Sequence, residues 1–409
     1  MLTTLSHALI DLADTLQSHR YLWAPEPFLL REAPWANSSP RMQAALLALS
    51  QNQVDDLLKT TGACEAWLAE QLPDLFKALR RWQPTRLTPD ISTQHDPMSL
   101  GIGGRKWQQI QAFHHASQRL PAVMQCADWC AGKGYLAGYL SAHQGCCVDC
   151  LEIDETLCTE GAERIDQFNL PVTFHHCDIM QEVAPKLLQR NERHVALHAC
   201  GELHRRLLQQ TLGKVEQICL SPCCFHLGAS DNSQLSMTAR RSALQLSAKE
   251  LRIPLLETVT GGQSAIRNRR TEQIWRLAYD CWRIATTGDT SYKPLRSLSK
   301  RFFKTDPADF FSWAAQQHHL AFNDVKGIDN WLEEGRKRFE LSERLGIIRQ
   351  GMKRYLEHFV LLDLACYCQE HGYQAEIVVF CERELTPRNL ALLAHRPFDE
   401  EQFLRQLQQ

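Results

Sequence analysis

Three carboxylates stand behind three successive apolar runs. Asp128 follows Val123-Met-Gln-Cys-Ala, Glu152 follows Cys147-Val-Asp-Cys-Leu, and Asp178 follows His175-His-Cys. After the first acid comes a tight turn, Cys130-Ala-Gly132-Lys-Gly134, with the glycine spacing that lets a ligand approach a backbone more closely than a Cβ permits. Glu152 lies about twenty residues beyond that turn, the interval at which a carboxylate reaches ribose hydroxyls. Asp154 is the alternative for that role, and Asp178 is placed to accept a bond from an adenine amino group. Three acids at three strand ends are the pattern of an adenosine-containing cofactor. A second group is made of thiols and their neighbours: His198-Ala-Cys200-Gly-Glu202 and Ser221-Pro-Cys223-Cys224-Phe-His226.

The second group permits several chemistries. Glu202 or His226 can orient or deprotonate an acceptor while Pro222-Cys223 shapes its pocket. Cys200, Cys223, Cys224 and His226 form a legitimate Cys₃His zinc set, although adjacent cysteines are not the usual C-x₂₋₄-C spacing. A cysteine after the fifth strand can also attack a pyrimidine ring, which requires a thiolate in an electropositive setting. The plainest reading is that these cysteines fill strand ends. No metal is expected as the default. Cys147 and Cys150 point to opposite faces of one strand and do not chelate. Cys126, Cys219 and Cys381 read as core, and His175, His176, His194 and His204 as ordinary strand and helix histidines.

These groups need elements to hold them. Short runs rich in Val, Ile and Cys alternate with helical periodicity from residue 98, as βαβ units with a parallel sheet require. Strands are expected near 123–127, 147–152, 172–177, 194–199 and 215–220. Helical patterns dominate 228–350, and a helix at about 352–371 leads to a hairpin of two strands, 376–381 and 389–394, joined through Thr386-Pro387. The total is seven strands. Upstream, Leu5, Leu9, Leu12 and Leu16 share a helix face, two more helical runs cover about 40–60 and 64–81, and Pro84 and Pro89 mark a linker.

Composition narrows the class. The chain has 409 residues, 44% hydrophobic and 22% charged, with a formal net charge of −2, which suits a globular protein of two or three structural units. Sixteen cysteines are too few for a disulfide scaffold of this length. No export signal or apolar span is read, so the expectation is a cytoplasmic protein with reduced thiols and no membrane association.

The glycine turn with Glu152 and Asp178 resembles the seven-stranded Rossmann-like methyltransferases more than the G-x-G-x-x-G fingerprint of NAD-binding proteins. Cys130 departs from that pattern, which has its first glycine there. Further segments sharpen the likeness: Met98-Ser-Leu-Gly-Ile-Gly-Gly-Arg105-Lys106, the two thiol segments, and Thr386-Pro387-Arg388-Asn389. Together they resemble a methyltransferase family that includes the glutathione S-transferase C-terminal-domain-containing protein, and more distantly the tRNA ribose methyltransferases of the acceptor stem. The likeness covers about 98–226 and 352–396. It implies an α/β fold: a class I methyltransferase sheet, an N-terminal helical domain, and a helical insertion between strands five and six. It implies S-adenosyl-L-methionine as cofactor, held by Asp128, Cys130, Gly132, Gly134, Glu152, Asp154, Asp178 and His198. The acceptor would then meet Cys200, Glu202, Cys223, Cys224 and His226. No Asp-x-Pro-Pro-Tyr-type motif follows strand four, which argues against methylation of an adenine amino group.

Residues 240–304 carry fourteen basic and five acidic side chains, a net of +9. That asymmetry is the footprint of phosphate binding, and Trp275, Tyr279, Trp282 and Tyr292 are interleaved for stacking on bases. The alternative is a packed helical insertion with solvated arginines. The expected partner is RNA, with tRNA favoured, contacted by Arg105, Lys106, Arg267, Arg269, Arg270, Arg388 and Asn389; no obligate protein partner is expected. A protein or small-molecule methyltransferase and an inactive cofactor-binding scaffold are the other readings. Expected domains are 1–95, 98–227, 228–350 and 351–409.

Overall fold

The computed structural model describes residues 3–35, 38–89, 91–92, 96–229, 233–256, 263–299, 302 and 305–397. Its centre is one mixed sheet of eight strands: β1 (Thr85–Arg86), β2 (Gln125–Trp129), β3 (Cys147–Glu152), β4 (Val172–His176), β5 (Arg193–Cys200), β6 (Gln217–Cys223), β7 (Gln374–Val379) and β8 (Leu390–His395). The order is β1-β7-β8-β6-β5-β2-β3-β4. Every pairing is parallel except those of β8, which runs antiparallel to both β6 and β7.

Seven strands fall where the apolar runs predict them, within a few residues. The eighth corrects the count. Thr85–Arg86 sits in the stretch read as a linker and pairs with Val378–Val379. Two exposed polar residues carry no hydrophobic signal, so only the free edge of β7 makes them a strand.

The sheet's central strands are buried along most of their length, polar Asp149, Arg193, His194 and Gln217 included. β6 is buried at all seven positions. The helix Gly104–Ser117 contributes Trp107, Ile110 and Phe113 to the core, where Trp107 meets Tyr139 edge-on with centroids 5.1 Å apart. Residues Tyr135–Gln144 form the helix that follows the glycine turn.

The chain forms two compact units: 1–17, 78–255 and 354–409 in one, 18–77 and 256–353 in the other. Sequence boundaries at 95, 227 and 350 divide the chain differently, because contacts between segments far apart in sequence leave no local signature. A single helix, Ile328–Glu370, passes through the expected boundary at 350. Gly351 lies within it, where a Cβ would stand 2.4 Å from Cδ1 of Leu68 on the helix Ala63–Gln71.

Upstream, the run expected over 40–60 is two helices. Ser50 starts the second, Gln51–Lys59, with a reciprocal capping box to Gln53. The 64–81 run is likewise split, at Pro73, which cannot donate the next helical hydrogen bond.

The second unit has its own core. Trp275, Tyr279 and Trp282 lie on one face of the helix Gln263–Thr287 and pack on Phe310, Phe311, Ala314 and Ala315 of the helix Pro307–Gln317. No described helix is long and apolar enough to cross a membrane.

Candidate active site

Parallel strands bring their carboxyl ends to one edge, and the register decides which residues meet there. Asp128 on β2 is level with Cys150 on β3 and Val195 on β5, and Glu152 is level with His176 on β4. The glycine turn and Glu152 come together directly. The Gly132 amide donates to Glu152 Oε2 at 2.8 Å, while Glu152 Oε1 accepts from Ile153 N at 2.9 Å and Asp154 N at 3.1 Å. Three amides fix this carboxylate over the turn, with its side chain largely buried.

Asp128 is 2% exposed, and its Oδ2 has no hydrogen-bond partner among the described residues. Burial pushes its carboxyl up to about 8, against the Ala137 amide that bonds it; the nearby charge of Glu152 adds to the rise. Cys130, Gly132 and Gly134 all hold positive φ, at 59°, 57° and 67°. The two glycines are needed for different reasons. A Cβ on Gly134 would stand 2.6 Å from Phe174 Cζ, so this glycine is required by packing. A Cβ on Gly132 would meet nothing within 4 Å. The space above Gly132 is open, as a ligand lying on the turn requires. Cys130 pays for its left-handed backbone with steric strain that glycine would avoid.

Asp154 is engaged elsewhere. It is the N-cap of the helix Glu155–Asp166, its Oδ1 accepting from Thr156 N and Leu157 N at 2.9 and 3.2 Å. Of the two acids weighed for the ribose, Glu152 is therefore the one facing the turn. Asp178 is partly exposed beyond β4 and accepts from Met180 N at 2.9 Å.

The ends of β5 and β6 are shaped by irregular backbone. The β5–β6 register shifts between Leu197 and Ala199, leaving His198 at φ 64°. Its Nε2 bonds Gln109 Oε1 at 2.7 Å, and Gln109 Nε2 donates to the Leu385 carbonyl at 2.9 Å. Burial, with the charges of Lys106 and Arg388, lowers the His198 ring to about 4, so it is neutral. Gln109 escaped the sequence reading because nothing marks a glutamine in mid-helix until its partner is known.

After the shift, Cys200 and Cys223 are direct register partners with sulfurs 2.8 Å apart. Cys224 leaves the strand at φ 49°, and the three sulfurs lie within 4.8 Å of one another. A hydrogen bond from Cys223 lowers the Cys200 thiol to about 6, and that same bond raises Cys223. His226 is not in the cluster, so three of the four expected ligands converge. Its Nδ1 is buried without a partner among the described residues, and burial with the Arg252 charge lowers its pKa. Glu202 opens the helix Glu202–Thr211 and pairs with Arg205 at 3.2 Å. Gly201, part of the His198–Glu202 segment but given no role from sequence, has φ 59°, and a Cβ there would stand 2.5 Å from the Leu227 carbonyl oxygen.

The expected substrate contacts divide. Arg105 and Lys106 are exposed at the start of the helix Gly104–Ser117, with Arg105 donating to the Glu384 carbonyl at 2.6 Å. Arg388 donates to the carbonyls of Pro254 and Leu255 at 3.3 and 3.4 Å. Asn389 is fully buried and bonds the Cys381 carbonyl at 2.6 Å, so it braces the β7–β8 turn and is not a surface contact.

In the second unit, Arg267 and Arg269 are exposed. Arg270 lies 4.0 Å from Asp55 and 3.8 Å from Glu343, over the Phe339 ring. Trp275, Tyr279 and Trp282 are at most 8% exposed, which removes them as stacking platforms. Tyr292 meets Phe28 edge-on at 5.7 Å. The hydrophobic core took the aromatics that the sequence offered to bases. Lys300, Arg301 and Lys304 of the basic run lie outside the described residues.

Solved structures similar to this chain include YjhP from E. coli (12% identity, 31% of this chain and 51% of that one, TM-score 0.24). TrmN from Thermus thermophilus shows 19% identity over 30% of this chain and 40% of its own, with a TM-score of 0.26. The glycopeptide N-methyltransferase MtfA, complexed with S-adenosyl-L-methionine, shows 17% identity over 32% and 59%, with a TM-score of 0.23. The matched parts thus span about half the length of those proteins. Residues 105–230, which hold the glycine turn, all three acids and the thiol cluster, match the family model described as a methyltransferase domain.

Proposed function

We propose that this chain is an S-adenosyl-L-methionine-dependent methyltransferase, with the cofactor lying on the Asp128–Gly134 turn. The carrying observation is the Gly132 amide on Glu152, under open space that a Cβ would not otherwise clash with. The residues fit the group: Glu152, fixed over the turn, would hold the ribose hydroxyls, Asp178 would accept from the adenine amino group, and Asp128 lies buried at the end of β2 beside the turn. When bound, the cofactor supplies an electrophilic methyl group on a sulfonium. The protein's own part is largely positioning, since an in-line displacement gains most from held geometry.

The acceptor is read as lying over the ends of β5 and β6. Glu202 or His226 is the group there read as orienting it or taking its proton. RNA, tRNA first, remains the leading substrate, in line with the resemblance to tRNA ribose methyltransferases. What supports it is the exposed cations Arg105, Lys106, Arg267 and Arg269. A protein or small-molecule acceptor is the second reading, favoured by the inward-facing aromatics of the basic segment. Titration calorimetry with S-adenosyl-L-methionine tests the cofactor, and absence of binding refutes the assignment. Tritiated-methyl transfer onto total RNA against total protein, from a strain lacking this gene, decides the acceptor.

A further inference from the structure

Cysteine is commonly a small core residue, and nine of the other thirteen are buried and need no other account, while Cys130, Cys147, Cys177 and Cys281 do not converge with other thiols among the described residues. Cys200, Cys223 and Cys224 differ. Adjacent residues on a strand project to opposite faces, so Cys223 and Cys224 would normally be separated. The left-handed turn at Cys224 cancels that alternation and brings its sulfur back to the pair on β5 and β6. A non-glycine residue in this conformation is sterically strained. Cys200 and Cys224 are also only partly buried, so apolar filling does not explain them.

We propose that Cys200, Cys223 and Cys224 form a binding site for a single thiophilic d¹⁰ cation, zinc in the first instance, with one coordination position left open. Two sulfurs on a tetrahedral zinc stand about 3.8 Å apart, from bonds of about 2.3 Å. The three sulfurs already lie within 4.8 Å of one another, and the Cys200–Cys223 pair at 2.8 Å needs only to open by rotation of its side chains. Three protein ligands and an open position is the arrangement of zinc sites that polarise a bound group, whereas closed four-ligand sites are structural. The open position would take an anionic or thiol-bearing ligand. The site goes beyond the methyltransferase reading and does not depend on it.

The test uses the full reduced chain, stripped of metal and titrated with Co²⁺ and then Zn²⁺. An intense sulfur-to-cobalt charge-transfer band, saturating at one equivalent and bleached by Zn²⁺, is the expected result. Cys224→Ser, a partly exposed position, should weaken binding by at least about tenfold, the loss that outer-shell partners alone produce. Cys147→Ser serves as the control and should bind as the unaltered protein does. Affinity for S-adenosyl-L-methionine, measured in parallel on Cys224→Ser, reports separately on the cofactor site. Absence of the band, or equal affinity in Cys224→Ser, overturns the proposal. So does a Cys200–Cys223 disulfide found by mass spectrometry in protein that carries no metal, which makes the pair a redox element instead.

Discussion

The two ends of the sheet edge hold their polar groups by opposite means. At and just beyond the ends of β3 and β4, backbone amides satisfy the acids: Glu152 takes three, and Asp178 and Asp154 take their own, while Asp128 on β2 keeps one oxygen without a partner among the described residues. At β5 and β6, the backbone itself is displaced, with His198, Gly201 and Cys224 at positive φ, and the thiols meet one another. The first arrangement follows from regular strands ending in register. The second exists only because the ladder is broken at His198.

The comparison breaks most sharply at Gly132. Gly132→Arg should abolish S-adenosyl-L-methionine binding in calorimetry, because the side chain enters the open space over the turn. Metal binding at the thiols should survive it. Retained cofactor affinity would place the site elsewhere. Glu152→Ala comes next: losing a charged hydrogen-bond partner costs about 1.5–3 kcal/mol, or about 10- to 150-fold in Kd.

The two glycines separate ligand space from packing. Gly134→Ala should destabilise folding by about 2–4 kcal/mol, from overpacking against Phe174 plus left-handed strain. Gly132→Ala should cost only the strain, about 1–2 kcal/mol. Urea unfolding of both variants checks the difference, and equal losses would refute the distinct roles.

Protonation distinguishes the two ends again. Asp128 has its folded pKa raised to about 8 from 3.8, so the native state holds a proton that the unfolded chain releases. Stability from this group is highest at low pH and is lost as pH rises from about 4 through 8. Asp128→Asn should therefore gain stability over the unaltered protein progressively across that window. His198 is lowered to about 4, so its contribution is present above its unfolded value of 6.5 and lost as pH falls toward 4. His198→Gln should flatten the acid limb of unfolding midpoint against pH; an unchanged limb would show that this ring is solvated.

The smallest effect is expected in the second unit. Neutralising Arg267, Arg269 and Arg270 together should reduce the slope of log RNA affinity against log salt by about 1.5–2, not by a full three contacts, because Arg270 is already paired with acids. Cofactor affinity should be unaffected. An unaltered slope would leave the segment as a packed helical region and promote the protein-acceptor reading.

Much was legible in the sequence. Apolar runs of strand length located seven strands, and the glycine turn and its acids fall along one edge of the sheet, because local patterns set both. Only tertiary structure decided the rest. Whether Asp154 or Glu152 faces the turn depends on which one a helix N-terminus claims as its cap. The same competition moved Trp275, Tyr279 and Trp282 inward, since burying large aromatic surface outweighs leaving it exposed for a ligand. The eighth strand, the discontinuous units and the convergence of three thiols depend on pairings between distant segments and on backbone angles. Residue order determines those only through the folded whole.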